Sequence, residues 1–217
     1  MTYFDRESRC PETKTSSTIP AKVTRGHGLL ETWLAKQRGK RANMLIPKHL
    51  REGRVLDIGC GTHPYFLTNT VFREKYSLDQ IAMPPETAVR HGITHCTHDL
   101  DKDPRLPFAD AHFSVITLLA MIEHVEPHIA VQILREAHRA LVSGGRLIVT
   151  TPAAWADGLL HLMARLRMVS PEEIHEHAFA YTLPTLGCCL GQAGFGLEKF
   201  RCGHFELWMN LWAVGEK

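Results

Sequence analysis

The stretch Val55–Tyr65, which reads VLDIGCGTHPY, decides the fold of this chain. Its apolar start, within Arg54–Ile58, is typical of a buried parallel β-strand, and Asp57 falls at the carboxyl end of that strand. Gly59 and Gly61 allow a tight turn in which backbone comes close to a ligand, because neither residue carries a Cβ atom. Ligands of open α/β sheets bind outside the carboxyl ends of the strands. The stretch therefore predicts a ligand site together with a strand–turn–helix unit.

Strand and helix signals alternate on either side of this stretch, which implies βαβ units and a parallel sheet. Two closing strands, Phe195–Phe200 and Phe205–Val214, indicate a terminal hairpin. The other predicted strands are Arg54–Ile58, Lys75–Leu78, Thr94–Thr97, Phe113–Leu119 and Arg146–Thr151. The predicted helices are Leu29–Ile46, Pro64–Phe72, Pro84–His91, Pro127–Leu141, Trp155–Val169 and Thr182–Ala193, and Ser143–Gly145 is expected to cap the fourth of these.

The length and composition of the chain are those expected for one soluble α/β domain. The 217 residues suffice for a sizeable core, and 44% of them are hydrophobic. We expect residues 1–25, which are polar and lack apolar periodicity, to form a flexible tail, and residues 26–217 to form a single domain. Within that domain, residues 153–181 read as a helical insertion on the substrate side.

The charge pattern calls for no nucleic-acid or anionic-membrane partner, and the cysteines favour a cytoplasmic location. The formal net charge is +2 with both signs interspersed, so nothing calls for a nucleic-acid partner. No apolar run is long enough to span a bilayer, and Met1–Cys10 lacks a signal-peptide pattern. The six cysteines form no C-x-x-C pair, so we expect reduced thiols and a cytoplasmic location.

The sequence of the glycine-rich turn argues against a dinucleotide cofactor. The dinucleotide fingerprint G-x-G-x-x-G needs a third glycine at position 64, which is Pro64. An acid directly before the glycines would also repel a diphosphate. It suits a cationic ligand instead, such as one with an α-amino group and a sulfonium.

Three motifs carry a resemblance to a known family. D-x-G-x-G at Asp57–Gly61 resembles motif I of the class I S-adenosylmethionine (AdoMet)-dependent methyltransferases, with His63 in the position of a frequent third glycine. Leu106–Val125, LPFADAHFSVITLLAMIEHV, resembles the motif IV region of that family. Ala140–Pro152, ALVSGGRLIVTTP, resembles its helix-to-strand segment. The resemblance, to the small-molecule type close to methyltransferase domain 11, implies a three-layer Rossmann-like sandwich with a seven-stranded, mostly parallel sheet and a final antiparallel strand.

The resemblance also implies AdoMet as cofactor and suggests which residues hold it. Asp57 and the glycine turn would bind the aminocarboxypropyl end. Asp79, at the end of the second strand, can accept both ribose hydroxyls, and Asp99 can accept from the adenine amino group. The complete predicted cofactor set is Asp57, Gly59, Cys60, Gly61, Asp79, Gln80, Asp99, Leu100, Leu119 and Ala120.

Three histidines are candidates for a general base: His124, His63 and His175. Imidazole gains and loses a proton near neutral pH, so each could take a proton from a hydroxyl acceptor. A purely structural role for His124 is an equal alternative. Some relatives bind a divalent metal through E-x-x-E-H, but Ala120 replaces the first acid here, so we predict no metal. The remaining histidines and cysteines lack the spacing of zinc ligands.

The sequence thus predicts methyl transfer to an O, N or S nucleophile of a small molecule by a monomer or homodimer. Two alternatives from other classes stay open. One is a non-catalytic protein of the same fold that regulates or scaffolds a partner, an alternative that His63 in the glycine turn keeps open. The other is a nicotinamide-dependent oxidoreductase, which both Pro64 and the acid before the turn disfavour.

Overall fold

The structure, a computed structural model, describes residues 31–156 and 178–217. In this part of the chain a single seven-stranded sheet is flanked by helices on both faces. The strands are β1 Arg54–Ile58, β2 Glu74–Asp79, β3 Ile93–Thr97, β4 Phe113–Leu119, β5 Leu141–Pro152, β6 Phe200–Phe205 and β7 Asn210–Glu216. The α-helices of the described ranges are α1 Glu31–Leu45, α2 Tyr65–Thr68, α3 Pro85–His91, α4 Pro127–Ala140 and α5 Leu183–Gln192.

The strand order is β3-β2-β1-β4-β5-β7-β6. All pairs from β3 to β5 are parallel, whereas β7 is antiparallel to both β5 and β6. The predicted fold class is therefore confirmed, down to the one antiparallel strand near the end of the chain. Because β1 and β4 are parallel neighbours in the centre of the sheet, their carboxyl ends lie side by side where the glycine turn begins.

Successive residues of each strand point to opposite faces and build two hydrophobic cores. Leu56 belongs to the core that packs under α4 and α5, and its neighbour Val55 belongs to the core that packs under α1. Pro127 starts α4, whose apolar positions recur every three or four residues, and this spacing buries one face completely. The side chains of α4 buried on that face are Ala130, Ile133, Leu134, Ala137 and Ala140.

The predicted last strand, Phe205–Val214, begins too early, because β7 starts at Asn210 after a turn of residues with positive φ angles. Two further predicted elements near the ends of strands are wrong. The sixth strand runs over Phe200–Phe205 rather than Phe195–Phe200, because Phe195 turns back to donate to the carbonyl O of Leu190 and Leu197–Lys199 forms a 3₁₀ turn. Ser143–Gly145 does not cap α4, which ends at Ala140, but lies within β5. A bulge in the pairing of β5 with β4 accommodates the two glycines there.

Strand β7 ends beside the amino ends of the parallel strands, at the opposite end of the sheet from the glycine turn. There Lys217 exchanges backbone hydrogen bonds with Gly144 (2.9 Å) and Gly145 (3.1 Å). Its ammonium group also donates to the carbonyl O atoms of Arg139 and Leu141, at 3.0 and 2.8 Å. Four hydrogen bonds therefore fix this residue to the junction of α4 and β5.

The cysteines only partly match expectation. Cys60, Cys188, Cys189 and Cys202 carry free thiols, but Cys96 is disulfide-bonded, so the expectation of reduced thiols is wrong at that residue. The predicted tail and all of the predicted helical insertion except residues 153–156 and 178–181 lie outside the described residues. No helix within residues 31–156 or 178–217 is long and apolar enough to cross a membrane.

Candidate active site

The turn after β1 has a backbone that only glycine adopts without strain. Gly59 and Gly61 have φ angles of +74° and +61°. A Cβ atom on Gly59 would also overlap the side chain of Met121, whose own Cβ would be 2.7 Å away. The amide of Gly59 donates to the carbonyl O of Leu78 at 2.8 Å, which joins the turn to the end of β2.

Asp79 connects this turn to the following loop. One carboxylate oxygen accepts from the amide of Gly61 at 2.7 Å, and the other accepts from the amide of Ile81 at 3.0 Å. The side chain is buried. Because a carboxylate has about four acceptor positions, Asp79 keeps acceptor capacity for a ligand after both bonds are made.

Asp99 supplies a second carboxylate beside the first, in the loop after β3. It accepts from the amide of Asp101 at 3.1 Å and pairs with Lys102 at 2.7 Å. The hydrogen bond from Lys102 is the main reason that the pKa of Asp99 lies below its usual range. Its neighbour His98 donates through its backbone amide to the carbonyl O of Asp79 at 2.9 Å, which holds the two loops together.

The third wall of the site follows β4. Ala120 has a φ angle of +56°, a strained conformation for a residue with a side chain, and its amide donates to the carbonyl O of Thr150 at 2.9 Å. After Met121 the chain enters the 3₁₀ turn Ile122–His124, whose last amide donates back to the carbonyl O of Met121 at 3.1 Å. This turn places His124 in the lining of the same pocket as Asp79 and Asp99.

The segments that follow β1, β2, β3 and β4 border one pocket of about 320 Å³. Its volume lies within the range of small-molecule sites. The pocket is lined by Gly59, Leu78, Asp79, Gln80, His98, Asp99, Leu100, Asp101, Ala120, Met121, His124 and Val125.

Seven residues predicted from sequence come together in this pocket. They are the predicted cofactor residues Gly59, Asp79, Gln80, Asp99, Leu100 and Ala120 and the candidate base His124. The other five lining residues are not in the predicted set: Leu78, His98, Asp101, Met121 and Val125. Each of the five is an immediate chain neighbour of a predicted residue, and that adjacency was the available signal.

The other predicted site residues lie elsewhere. Asp57 is buried and accepts from the hydroxyl of Thr117 at 2.6 Å, so it anchors β1 to β4 beneath the turn. Cys60, Gly61 and Leu119 are not among the residues that line the pocket. His63 is exposed, with its Nδ1 3.0 Å from the hydroxyl of Thr62. His175 lies outside the described residues.

Within residues 31–156 and 178–217, no three His, Cys, Asp or Glu residues lie close enough together to hold a metal ion. His95, one of the histidines near Cys96, instead contacts the hydroxyl of Ser77 at 2.8 Å and the carbonyl O of Ile81 at 3.1 Å. Its ring therefore has a structural role in the packing of β2 against β3.

Solved structures with this fold include several methyltransferases. A SAM-dependent methyltransferase from Thermotoga maritima is 19% identical, with a TM-score of 0.61 over 86% of this chain and 90% of that one. One from Mesorhizobium loti is 20% identical, with a TM-score of 0.59 over 84% and 98%. PigF, solved with SAH, is 19% identical, with a TM-score of 0.59 over 87% and 56%.

The sequence itself decides the family. A comparison with curated proteins finds no match. A family model described as a methyltransferase domain matches residues 30–199, which contain β1 to β5, the glycine turn and the whole lining of the pocket. The chain therefore belongs to the methyltransferase domain family.

Proposed function

We propose that this protein transfers the methyl group of S-adenosylmethionine to an oxygen, nitrogen or sulfur nucleophile of a small molecule. The observation that carries the proposal is the shared pocket. The glycine turn, the carboxylates of Asp79 and Asp99 and the imidazole of His124 come from four separate segments, which follow β1 to β4, and all of them line one cavity at the carboxyl ends of the strands. This is the edge at which open α/β sheets bind their ligands.

The residues of the pocket fit the proposed cofactor. The sulfonium and ammonium groups of AdoMet are cations, and the carboxylates of Asp79 and Asp99 give the pocket acceptors of opposite charge. We propose that Asp79 holds the ribose hydroxyls and that Asp99 accepts from the adenine amino group. Leu78 and Leu100 add apolar surface for the adenine ring.

When bound, AdoMet supplies a methyl group that is already activated by the positive charge on sulfur. The protein then has to orient the acceptor and exclude water, and no residue needs to act as a nucleophile. For a hydroxyl acceptor, His124 on the pocket wall can take the proton as the new bond forms. An amine or thiol acceptor needs positioning alone.

The cofactor site is tested by calorimetric titration with S-adenosylhomocysteine. We expect binding in the micromolar range, and we expect Asp79→Ala to weaken it at least tenfold because the ribose acceptor is lost. Asp110→Ala is the matched control. Asp110 is an exposed carboxylate that pairs with Arg139 at the start of β4, on the opposite edge of the sheet. Absence of binding by the unaltered protein contradicts the proposal.

Turnover distinguishes an enzyme from a non-catalytic protein of the same fold. Radiolabelled AdoMet is incubated with a panel of small alcohols, amines and thiols, and release of S-adenosylhomocysteine is measured. For an alcohol acceptor, we expect His124→Gln to lower kcat by about 100-fold, a typical contribution of a general base. Its affinity for S-adenosylhomocysteine should be unchanged. Tight binding without turnover on any acceptor class would favour a regulatory protein.

A further inference from the structure

A second polar site lies between α1 and the hairpin of β6 and β7. Arg38 and Arg41 are three residues apart in α1, so they occupy the same face of the helix. The guanidinium carbon of Arg41 lies 4.8 Å from the ring centroid of Trp212 and 5.9 Å from that of Phe205. This face of α1 therefore packs directly on the hairpin. We call the space between them the α1–hairpin cleft.

Unpartnered polar atoms converge on this cleft. Nine buried side-chain nitrogen or oxygen atoms in the described residues have no hydrogen-bond partner, and six of them lie here. They are Arg38 Nε, Arg41 Nε, Glu206 Oε1, Asn210 Oδ1, Trp212 Nε1 and Thr150 Oγ1. Thr150 belongs to the group because it pairs with Trp212 in register. Buried polar atoms are normally satisfied, so a concentration of this kind indicates a ligand site.

The cleft carries more positive than negative charge. Among the residues that the structure describes, neither Arg38 nor Arg41 forms an ion pair within 4.0 Å. Glu206 is the carboxylate that faces them, and burial raises its pKa. One of its oxygens accepts from the side-chain amide of Asn210 at 2.5 Å. Two guanidinium groups therefore lie near one carboxylate, of which one oxygen is hydrogen-bonded to Asn210.

The cleft lies near the same carboxyl ends of the parallel strands as the cofactor pocket. Leu119, Thr150 and Trp212 form one row across β4, β5 and β7, and Leu119 directly precedes the wall of the pocket. With strands spaced about 4.8 Å apart, Trp212 lies about 10 Å along this row from Leu119. A small molecule held in the cleft can therefore extend to the pocket.

We propose that the α1–hairpin cleft binds the methyl acceptor and that it selects acceptors with a carboxylate. The guanidinium fork of arginine matches a carboxylate in shape and charge, and Arg38 and Arg41 supply two of them. Asn210 Oδ1 and Glu206 Oε1 would accept from hydroxyl or amino groups of the same molecule. A single negative charge is favoured over the two of a phosphate monoester, since Glu206 adds its own negative charge. This inference rests on the proposed methyl transfer.

The test uses benzoate as the probe and benzamide as its neutral match, and it measures binding by calorimetry with and without S-adenosylhomocysteine. We expect benzoate to bind at least tenfold more tightly than benzamide. Arg38→Gln and Arg41→Gln should each weaken benzoate binding about tenfold. Lys40→Gln is the matched control, because it removes the same charge from an exposed position on the same helix. It should leave benzoate binding unchanged.

Three results would overturn the proposal. The first is equal binding of benzoate and benzamide, and the second is tighter binding of phenyl phosphate than of benzoate. The third is a loss of affinity for S-adenosylhomocysteine, but not for 5′-methylthioadenosine, in the arginine variants, because the arginines would then hold the carboxylate of the cofactor itself. The benzoate titration without cofactor decides the matter even if S-adenosylhomocysteine fails to bind, so the two proposals fail separately.

Discussion

At the scale of single residues, the turn after β1 depends on the absence of one side chain. Gly59 combines a φ angle of +74° with direct contact to Met121, so an added Cβ atom meets two obstacles. Gly92, which ends α3, has a φ angle of +60° but no heavy atom within 4 Å of an added Cβ. A comparison of alanine substitutions at these two glycines therefore separates the cost of backbone strain from the cost of steric overlap.

We expect Gly92→Ala to lower the free energy of unfolding by about 1 kcal/mol through backbone strain alone. Gly59→Ala should cost about 3 kcal/mol, because overpacking against Met121 adds to that strain. It should also weaken S-adenosylhomocysteine binding, since Gly59 lines the pocket. Urea unfolding and calorimetry measure the two effects. Equal costs for both variants, or no recovery when Met121→Ala is added to Gly59→Ala, would contradict the steric explanation.

At the scale of elements, the turn between β6 and β7 stores backbone strain. Glu206, Leu207 and Trp208 have consecutive φ angles of +50°, +54° and +66°, although none is glycine. Leu207 is 81% exposed, so little packing compensates for its conformation. The turn contains Glu206, so its strained backbone shapes one side of the cleft that we propose to bind the acceptor.

We expect Leu207→Gly to raise the free energy of unfolding by about 0.5 kcal/mol, since relief of the strain exceeds the entropy that glycine adds to the unfolded chain. Leu197→Gly is the control. Leu197 is similarly exposed, at 78%, but its φ angle is not positive, so glycine there should destabilise by a similar amount. Thermal unfolding measures both variants, and a destabilised Leu207→Gly protein would show that the turn is not strained.

The strands differ in how far the sequence predicts them. The bounds of β1 and β4 agree with the prediction to the residue, because both strands lie in the centre of the sheet and their apolar runs are buried on both faces. Strand β6 is the last strand on one side of the sheet. The sequence around Phe195 is typical of a strand, although the Phe195 ring packs in a T-shaped arrangement against His138, with ring centroids 4.8 Å apart. An edge strand has one neighbour, so its apolar pattern is weak and its start cannot be read from the sequence.

The two candidate binding regions also differ in how far the sequence predicts them. The pocket could be predicted because its residues directly follow strands with clear patterns. The α1–hairpin cleft could not, because Arg41 and Trp212 are far apart in sequence and meet only in the folded chain. The hydrogen bond from Thr117 to Asp57 could not be predicted either, because it joins two strands, and a pairing of this kind is invisible in a single sequence.

At the scale of the whole molecule, three partly buried histidines make stability depend on pH. Burial lowers the pKa values of His95, His112 and His138 below the ordinary 6.5. Above pH 6.5 these histidines are neutral in the folded and unfolded chains alike, so their contribution to stability is complete there. Below pH 6.5 the unfolded chain binds protons first, and the contribution is lost as pH falls through the lowered values.

We therefore expect the free energy of unfolding to fall by about 1 kcal/mol between pH 6.5 and 5.5, a range in which carboxylates contribute little. Replacing His95 and His138 with glutamine should flatten this slope, whatever the variant does to stability at pH 7.5. Urea unfolding across the pH range measures the slope. An unchanged slope in the variant would assign the pH dependence to other groups.

The reversed direction of β7 has a practical consequence. It brings Lys217 to the edge of the sheet farthest from the pocket and fixes it there by four hydrogen bonds. A biosensor tether attached at Lys217 would orient every immobilised molecule alike, with the ligand edge towards the flowing solution. Fragment libraries of anionic acceptors could then be screened on one chip without blocking either the pocket or the α1–hairpin cleft.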